Sequence, residues 1–268
     1  MLTVLWYTLR ESIHRRMGLV LLVFSLVLPG AMLMFIRFEK QPDGSLIAHT
    51  GRLVHRNIAE FVATNFQSLL DFAVGPFVFL GVFAAGSLLT SYLERGSTDL
   101  LLSKGVSRWQ FFLGRYLGAL ALFVVALLVM DGGTALYFWI RTGIGPGRFF
   151  LSLLYPMLSV ASLLALMALV SLSQPNTGLL ILVAFLQMTF AQMLFYRQEM
   201  YTVIKWQWLR SVMDWAYRIL PKTVELSRDA RRFLVTGNVE AWWPIWSTGV
   251  FVVVVLGASF WFLHRKSF

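Results

Sequence analysis

The sequence predicts an all-α polytopic membrane protein: six transmembrane helices, an N-terminal interfacial helix, and an outer amphipathic helical segment before the last span. Three observations lead there. The 268 residues are 58% hydrophobic and 13% charged, with a mean hydropathy of +0.70; a soluble domain carries about 25% charged residues, so this chain cannot clothe a soluble surface. Its apolar runs reach the roughly 20 residues that an α-helix needs to cross a hydrocarbon core of about 30 Å. Polar segments rich in Gly, Pro and Ser separate these runs, and neither an internal repeat nor a low-complexity tract divides the chain, so residues 1–268 read as one transmembrane domain.

Residues 1–16 are expected to lie in the membrane interface as an amphipathic helix. Leu5, Trp6, Leu9, Ile13 and Met17 recur at helical spacing, with Arg10, Glu11, His14, Arg15 and Arg16 on the other face. The first span is 17–36, with Pro29-Gly30 inside it as a kink. Its apolar run is too long for the core of a cleavable signal. Residues 37–68 form a polar loop with a weak helical pattern. The second span is 69–92; Gly75, Gly81, Ala84, Ala85 and Gly86 permit close helix packing, and Pro76 falls near its outer end. The third, 111–140, exceeds the bilayer and must tilt, bend or project. The fourth, 149–172, contains Pro156. Asn176 or Thr177 can cap the fifth, 177–195. The sixth, 245–263, follows Trp242-Trp243-Pro244, aromatics at headgroup depth with a proline at a helix start.

Residues 196–243 are predicted to form an external helical segment. Ile204, Trp208, Val212, Trp215 and Ile219 make an apolar stripe; Arg210, Asp214 and Arg218 stand four apart on the opposite side, as i,i+4 pairs require. Pro221 ends this helix, and a shorter one covers Ser227–Thr236 up to Gly237. The Trp-rich stripe suits the outer leaflet, a lateral gate, or packing on the protein's own spans.

Residues 94–109 are the main polar island of the first half. Gly96 breaks the preceding helix, Ser97 or Thr98 can cap a new one, and Asp99 falls in its first turn, where the helix dipole favours an acid. Leu100, Leu101 and Leu102 give it an apolar side, Lys104 sits in its last turn, and Gly105 stops it. Ser107 and Gln110 fit a capping box opening the next helix, with Arg108 in its first turn. Glu94 can brace this short helix by pairing with Arg115.

The order Glu94-Arg-Gly-Ser-Thr-Asp-Leu-Leu-Leu-Ser, followed by Val106-Ser-Arg and Arg115, resembles the permease subunits of ABC transporters of the ABC-2 type. The resemblance implies that 94–109 is a coupling segment docked on a separate cytosolic P-loop ATPase through Glu94, Ser97, Thr98, Asp99, Leu100, Leu101, Leu102, Lys104 and Arg108. It implies an exporter in a bacterial cytoplasmic (inner) membrane, two permease copies as a homo- or heterodimer, both termini cytoplasmic, and ATP and magnesium on the partner. Within the family, the long segment before the last span most resembles permeases associated with maturation of copper enzymes. A mechanotransmitting accessory subunit with a periplasmic partner is the alternative.

The residues themselves set further bounds. No Gly-x-x-x-x-Gly-Lys-Ser/Thr occurs, so no P-loop and no cofactor is expected in this chain. The absence of cysteine excludes disulfides and thiolate metal sites. The net charge of +10 fits anionic lipid headgroups better than nucleic acid, since no basic run interleaves with aromatics. His49 and His55 share a loop with Glu39, Asp43 and Glu60 but lack metal-site spacing, and Met32 and Met34 fall on different faces of a helix, so no metal site is expected. Asp131, deep in the third span beside Gly132-Gly133, and Asp71, near the outer end of the second, are candidate translocation-path residues. They are expected to face one polar cavity, or to pair with Arg141 or Arg148; a membrane-embedded enzyme using both carboxylates is a further alternative. Lysine and arginine do not settle orientation. Nine lie on the side of the termini and fourteen on the other, four of these in 37–68, Arg141, Arg148 and eight in 196–243.

Overall fold

The computed structural model describes residues 2–14, 16–42, 45–90 and 107–265. Helix α1 (Leu2–His14) leads into α2 (Arg16–Phe35), and a small antiparallel sheet follows: β1 (Ile36–Lys40), β2 (Leu46–Thr50) and β3 (Leu53–His55), in that order. Helices α3 (Ile58–Val74) and α4 (Pro76–Thr90) complete the first half. The second half holds α5 (Arg108–Leu127), a π-helical turn (Leu128–Gly132), α6 (Gly133–Thr142), α7 (Gly147–Ser152), α8 (Leu154–Ser173) and α9 (Thr177–Phe195). It ends with α10 (Arg197–Met200), α11 (Gln207–Ile219), α12 (Thr223–Thr236) and α13 (Trp243–Arg265).

Five stretches are long and apolar enough to cross a bilayer: Ile58–Thr90, Trp109–Thr142, Gly147–Ser173, Thr177–Phe195 and Trp243–Arg265. The architecture is that of a helical integral membrane protein. In the expected first span, the apolar stretch Gly18–Met32 is shorter than these; at 1.5 Å per residue it reaches about 22 Å.

The sheet corrects the all-α expectation. Residues 37–68 hold the expected helical pattern only from Ile58, where α3 begins; before it they form strands, because Ile36-Arg-Phe-Glu-Lys alternates with period two. Ile36 is buried and Phe38 packs edge-on to Phe61 and Phe138, while Arg37 and Glu39 are exposed. Tyr137 of α6 donates its hydroxyl to the Ile36 carbonyl at 2.7 Å, tying the sheet to the third span. Gly51, at φ +59, makes the tight turn between β2 and β3. The second span also starts earlier than expected. Asn57 caps α3 by accepting from the Glu60 amide, and α4 follows directly after a break at Gly75, so that the two make one apolar stretch, Ile58–Thr90.

Helix α8 lies at the centre, with Val160, Leu163, Leu164, Ala165, Met167, Ala168 and Leu172 buried against α4, α5, α9, α12 and α13. Tyr116 ties α5 to it through the Ala161 carbonyl. Glycine lets neighbouring helices approach. A Cβ on Gly81 would stand 2.5 Å from the ring of Phe123, and one on Gly118 2.6 Å from Thr8 Cβ.

That second contact shows which row of the N-terminal helix docks on the bundle. Val4, Thr8 and Ser12 form its buried row, docked on α5, while Trp6 is 70% exposed. Small side chains opposite glycine achieve the close fit, and Leu9 packs partly buried against the core. The buried guanidinium of Arg115 is paired with Glu11. Glu94, the expected brace, lies outside the described residues.

Candidate functional site

The membrane half beyond the sheet contains two polar features, built differently. The first is a cavity of about 470 Å³ where α3, α4, α8, α9 and α12 meet. Proline 76 has no N–H to return to α3, and Gly75 leaves helical geometry at φ −94, ψ −97, so the long second helix breaks here. Asp71 and Gly75 line one wall, Ser159 and Leu163 another, Met188 and Gln192 a third, and Thr223, Ser227 and Arg231 the side of α12. Arg231 Nε reaches Asp71 Oδ1 at 3.2 Å, with both side chains about half exposed. The hydroxyls of Ser159 and Ser227 donate to their own helices, to the carbonyls of Tyr155 and Thr223, and so present acceptor lone pairs.

The second feature is Asp131. It lies in the π-helical turn, fully buried, and neither carboxyl oxygen has a hydrogen-bond partner among the described residues. A π turn adds a residue to the helix and is frequent at functional sites. Here it brings Met130 and Asp131 inward together. A Cβ on Gly133 would stand 3.6 Å from Pro29 of α2, an ordinary van der Waals contact.

These positions correct the sequence expectation that Asp71 and Asp131 share a cavity or pair with Arg141 or Arg148. Asp131 does not line the cavity of Asp71. Arg141 is exposed, and Arg148 donates to the Val235 carbonyl at 3.4 Å. The partner of Asp71 is Arg231, and no sequence signal joins residues so far apart. Asp71 lines the cavity and Asp131 does not, so the two are not brought into one site as the paired carboxylates of the enzyme alternative.

Residues 196–243 are helical, as expected, with α12 starting four residues before the predicted helix. Gly237 stops it in the left-handed region at φ +74. On α11 the stripe of Trp208, Val212, Trp215 and Ile219 faces outward. The expected i,i+4 pairs along Arg210, Asp214 and Arg218 are not made. Asp214 instead accepts from Tyr201 at 2.7 Å and from Arg197 at 3.4 Å. Arg210 donates to the Ile204 and Tyr201 carbonyls, satisfying the turn that precedes α11. Tertiary carbonyl acceptors hold this guanidinium where periodicity suggests a surface pair.

Around Tyr217 the segment 196–243 packs on the end of α9. The guanidinium of Arg197 lies 3.4 Å and the ammonium of Lys222 3.9 Å from its ring centre, and its hydroxyl donates to Glu225. Burial, with the bond to Glu225, raises the Tyr217 hydroxyl to about 12. Burial lowers the Lys222 ammonium to about 8, against the pull of Glu225 and with help from Arg197.

In the coupling segment, Glu94, Ser97, Thr98, Asp99, Leu100, Leu101, Leu102 and Lys104 lie outside the described residues. Its end is described: Ser107 accepts from the Gln110 amide, Gln110 returns the bond to the Ser107 amide, and Arg108 opens α5. Among the described residues, no group of three or more His, Asp or Glu is placed to hold a metal. His49 contacts Glu39 at 3.5 Å, while the His55 ring lies tilted against that of Phe61, with centres 4.5 Å apart. The β2–β3 register pairs His55 with Ala48, so His49 points to the opposite face. Compared with protein-family models and with curated proteins, the sequence finds no match.

Proposed function

We propose that this chain is the membrane-spanning subunit of an ATP-driven ABC transporter of the ABC-2 type, an exporter whose ATPase is a separate cytosolic polypeptide. One observation carries the reading: the ordered run from Glu94 through the Ser107 capping box, placed between two long membrane helices. A two-turn helix is too short to be stable alone, so the segment depends on its caps and on what it docks against. Movement of the docked segment would tilt α4 and α5, and with them the walls of the cavity around Asp71. In this reading 94–109 is cytoplasmic with both termini, the first span completes a set of six, and 196–243 is external with its tryptophans at the outer interface. A second permease copy completes the assembly. The outward stripe of the external segment also fits the mechanotransmitting alternative, in which it would meet a periplasmic partner.

The test is coexpression with a P-loop ATPase encoded in the genomic neighbourhood. The unmodified chain should co-purify with it, whereas Leu101→Asp should insert normally and lose the ATPase. Retention of a full complement by Leu101→Asp overturns the coupling role. Single cysteines at Ser103 and Asn238 test orientation in this cysteine-free chain: an impermeant thiol reagent should label 238 and spare 103 on intact cells.

A further inference from the structure

We infer that the cavity between α3, α8, α9 and α12 binds an anionic amphiphile, its phosphate or carboxylate head on Arg231 and its hydrocarbon chain along Val78, Leu163 and Met188. This deepens the transport reading by naming the ligand class of the same cavity. Its volume of about 470 Å³ falls within the range of sites that enclose small ligands. Its lining is divided. Arg231 and Asp71 are charged, whereas Val78, Leu163 and Met188 offer no polar group to a ligand beyond a weakly accepting sulfur. A wholly polar solute would leave that wall unused, and a plain hydrocarbon would strand the charges.

The sign of the head follows from what surrounds the pair. Among the described residues, Arg231 is the only cation lining the cavity and Asp71 the only carboxylate, so the two neutralise each other at 3.2 Å when nothing is bound. The segment that carries Arg231 is basic, with eight lysines and arginines in 196–243 against Glu199, Asp214, Glu225, Asp229 and Glu240. That field favours an anion replacing Asp71 on the guanidinium over a cation replacing Arg231 on the carboxylate. The Arg231 guanidinium is half exposed and approaches Asp71 only through Nε, so its other N–H groups suit a phosphate or carboxylate in the forked geometry arginine favours. Asp71 is thus a resident competitor, and its removal should strengthen binding.

The test measures binding of short-chain phosphatidylglycerol to the purified chain in nonionic detergent by native mass spectrometry, without any ATPase. Arg231→Gln should weaken binding by at least about tenfold, the worth of one charged hydrogen bond. Arg231→Lys should restore part of the loss, and Asp71→Asn should tighten binding several-fold. A clasp that only holds α3 to α12 predicts that both removals act in the same direction, and that result overturns the inference. Equal binding of inorganic phosphate, or preferential binding of a cationic amphiphile, overturns the assigned class. Because the ATPase is absent, failure here leaves the coupling result untouched, and loss of coupling leaves lipid binding to be read independently.

Discussion

Replacing Glu11 with Gln tests how the N-terminal helix is held to the bundle. Arg115 is 2% exposed and its partner Glu11 17%, while the guanidinium also lies 5.6 Å from the ring centre of Tyr7 and 5.4 Å from that of Phe111. Removing one partner of a buried ion pair costs about 3–5 kcal/mol, because the remaining charge stays desolvated. The partial exposure of Glu11, and the amide oxygen that Gln retains, place the expected loss at about 3 kcal/mol, the low end of that range. If this loss falls on docking of α1, it corresponds to roughly a 100-fold rise in the undocked population. The assay exploits the absence of cysteine. Ser12 is buried in the α1 contact, so Ser12→Cys reacts with maleimide only when the helix opens, at a rate set by the opening equilibrium. Glu11→Gln should raise that rate by one to two orders of magnitude. The double change Glu11→Leu with Arg115→Met should return it near the starting value, since an apolar pair replaces a buried ion pair at little cost. Less than a twofold change in Glu11→Gln would refute the argument that Glu11 compensates the Arg115 charge.

Two further outcomes follow from the packing and the titrating groups. Gly81→Ala should destabilise the protein by about 1–3 kcal/mol, since its Cβ would meet the buried ring of Phe123 at 2.5 Å; Gly257→Ala, inside α13, meets nothing within 4 Å and should raise the thermal unfolding temperature of the detergent-solubilised protein, by at most about 1 kcal/mol of helix propensity. Lys222 makes stability rise with pH: its folded value near 8 lies below the 10.5 of the free side chain, so between these values the unfolded chain binds the extra proton. Unfolding followed by tryptophan fluorescence should shift to higher temperature from pH 7.5 to 9.5, and Lys222→Met should reduce that increment. The window ends below the range in which Tyr217, raised to about 12, contributes with the opposite sign.

The fifth helix, Thr177–Phe195, coincides with its expected span, and Asn176, Ser107 and Gly237 act as the caps and stop that their types imply. These features are local. A side-chain cap and a run of apolar residues are determined within a few positions of the chain, so sequence suffices. The sheet was also legible in principle, as period-two alternation in Ile36–Lys40, but its strands are too short to outweigh the surrounding helical pattern. Pairings across the bundle were not legible. Glu11 meets Arg115 and Asp71 meets Arg231 because particular helix faces come together. The docked face of α1 was not legible for a related reason: in a membrane protein hydrophobicity marks contact with lipid as much as contact with protein, and close docking selects small residues such as Thr8 and Gly118. Asp131 stood out in the sequence as an acid within an apolar span, yet only the fold decided that it enters a π turn away from the Asp71 cavity. Composition and local spacing thus determined that the chain is helical and membrane-embedded, because those depend on each residue's affinity for water and on short-range geometry. Which charges meet, and which walls enclose the cavity, depended on how helices distant in sequence pack, and packing is a property of surfaces that no single stretch of the chain contains.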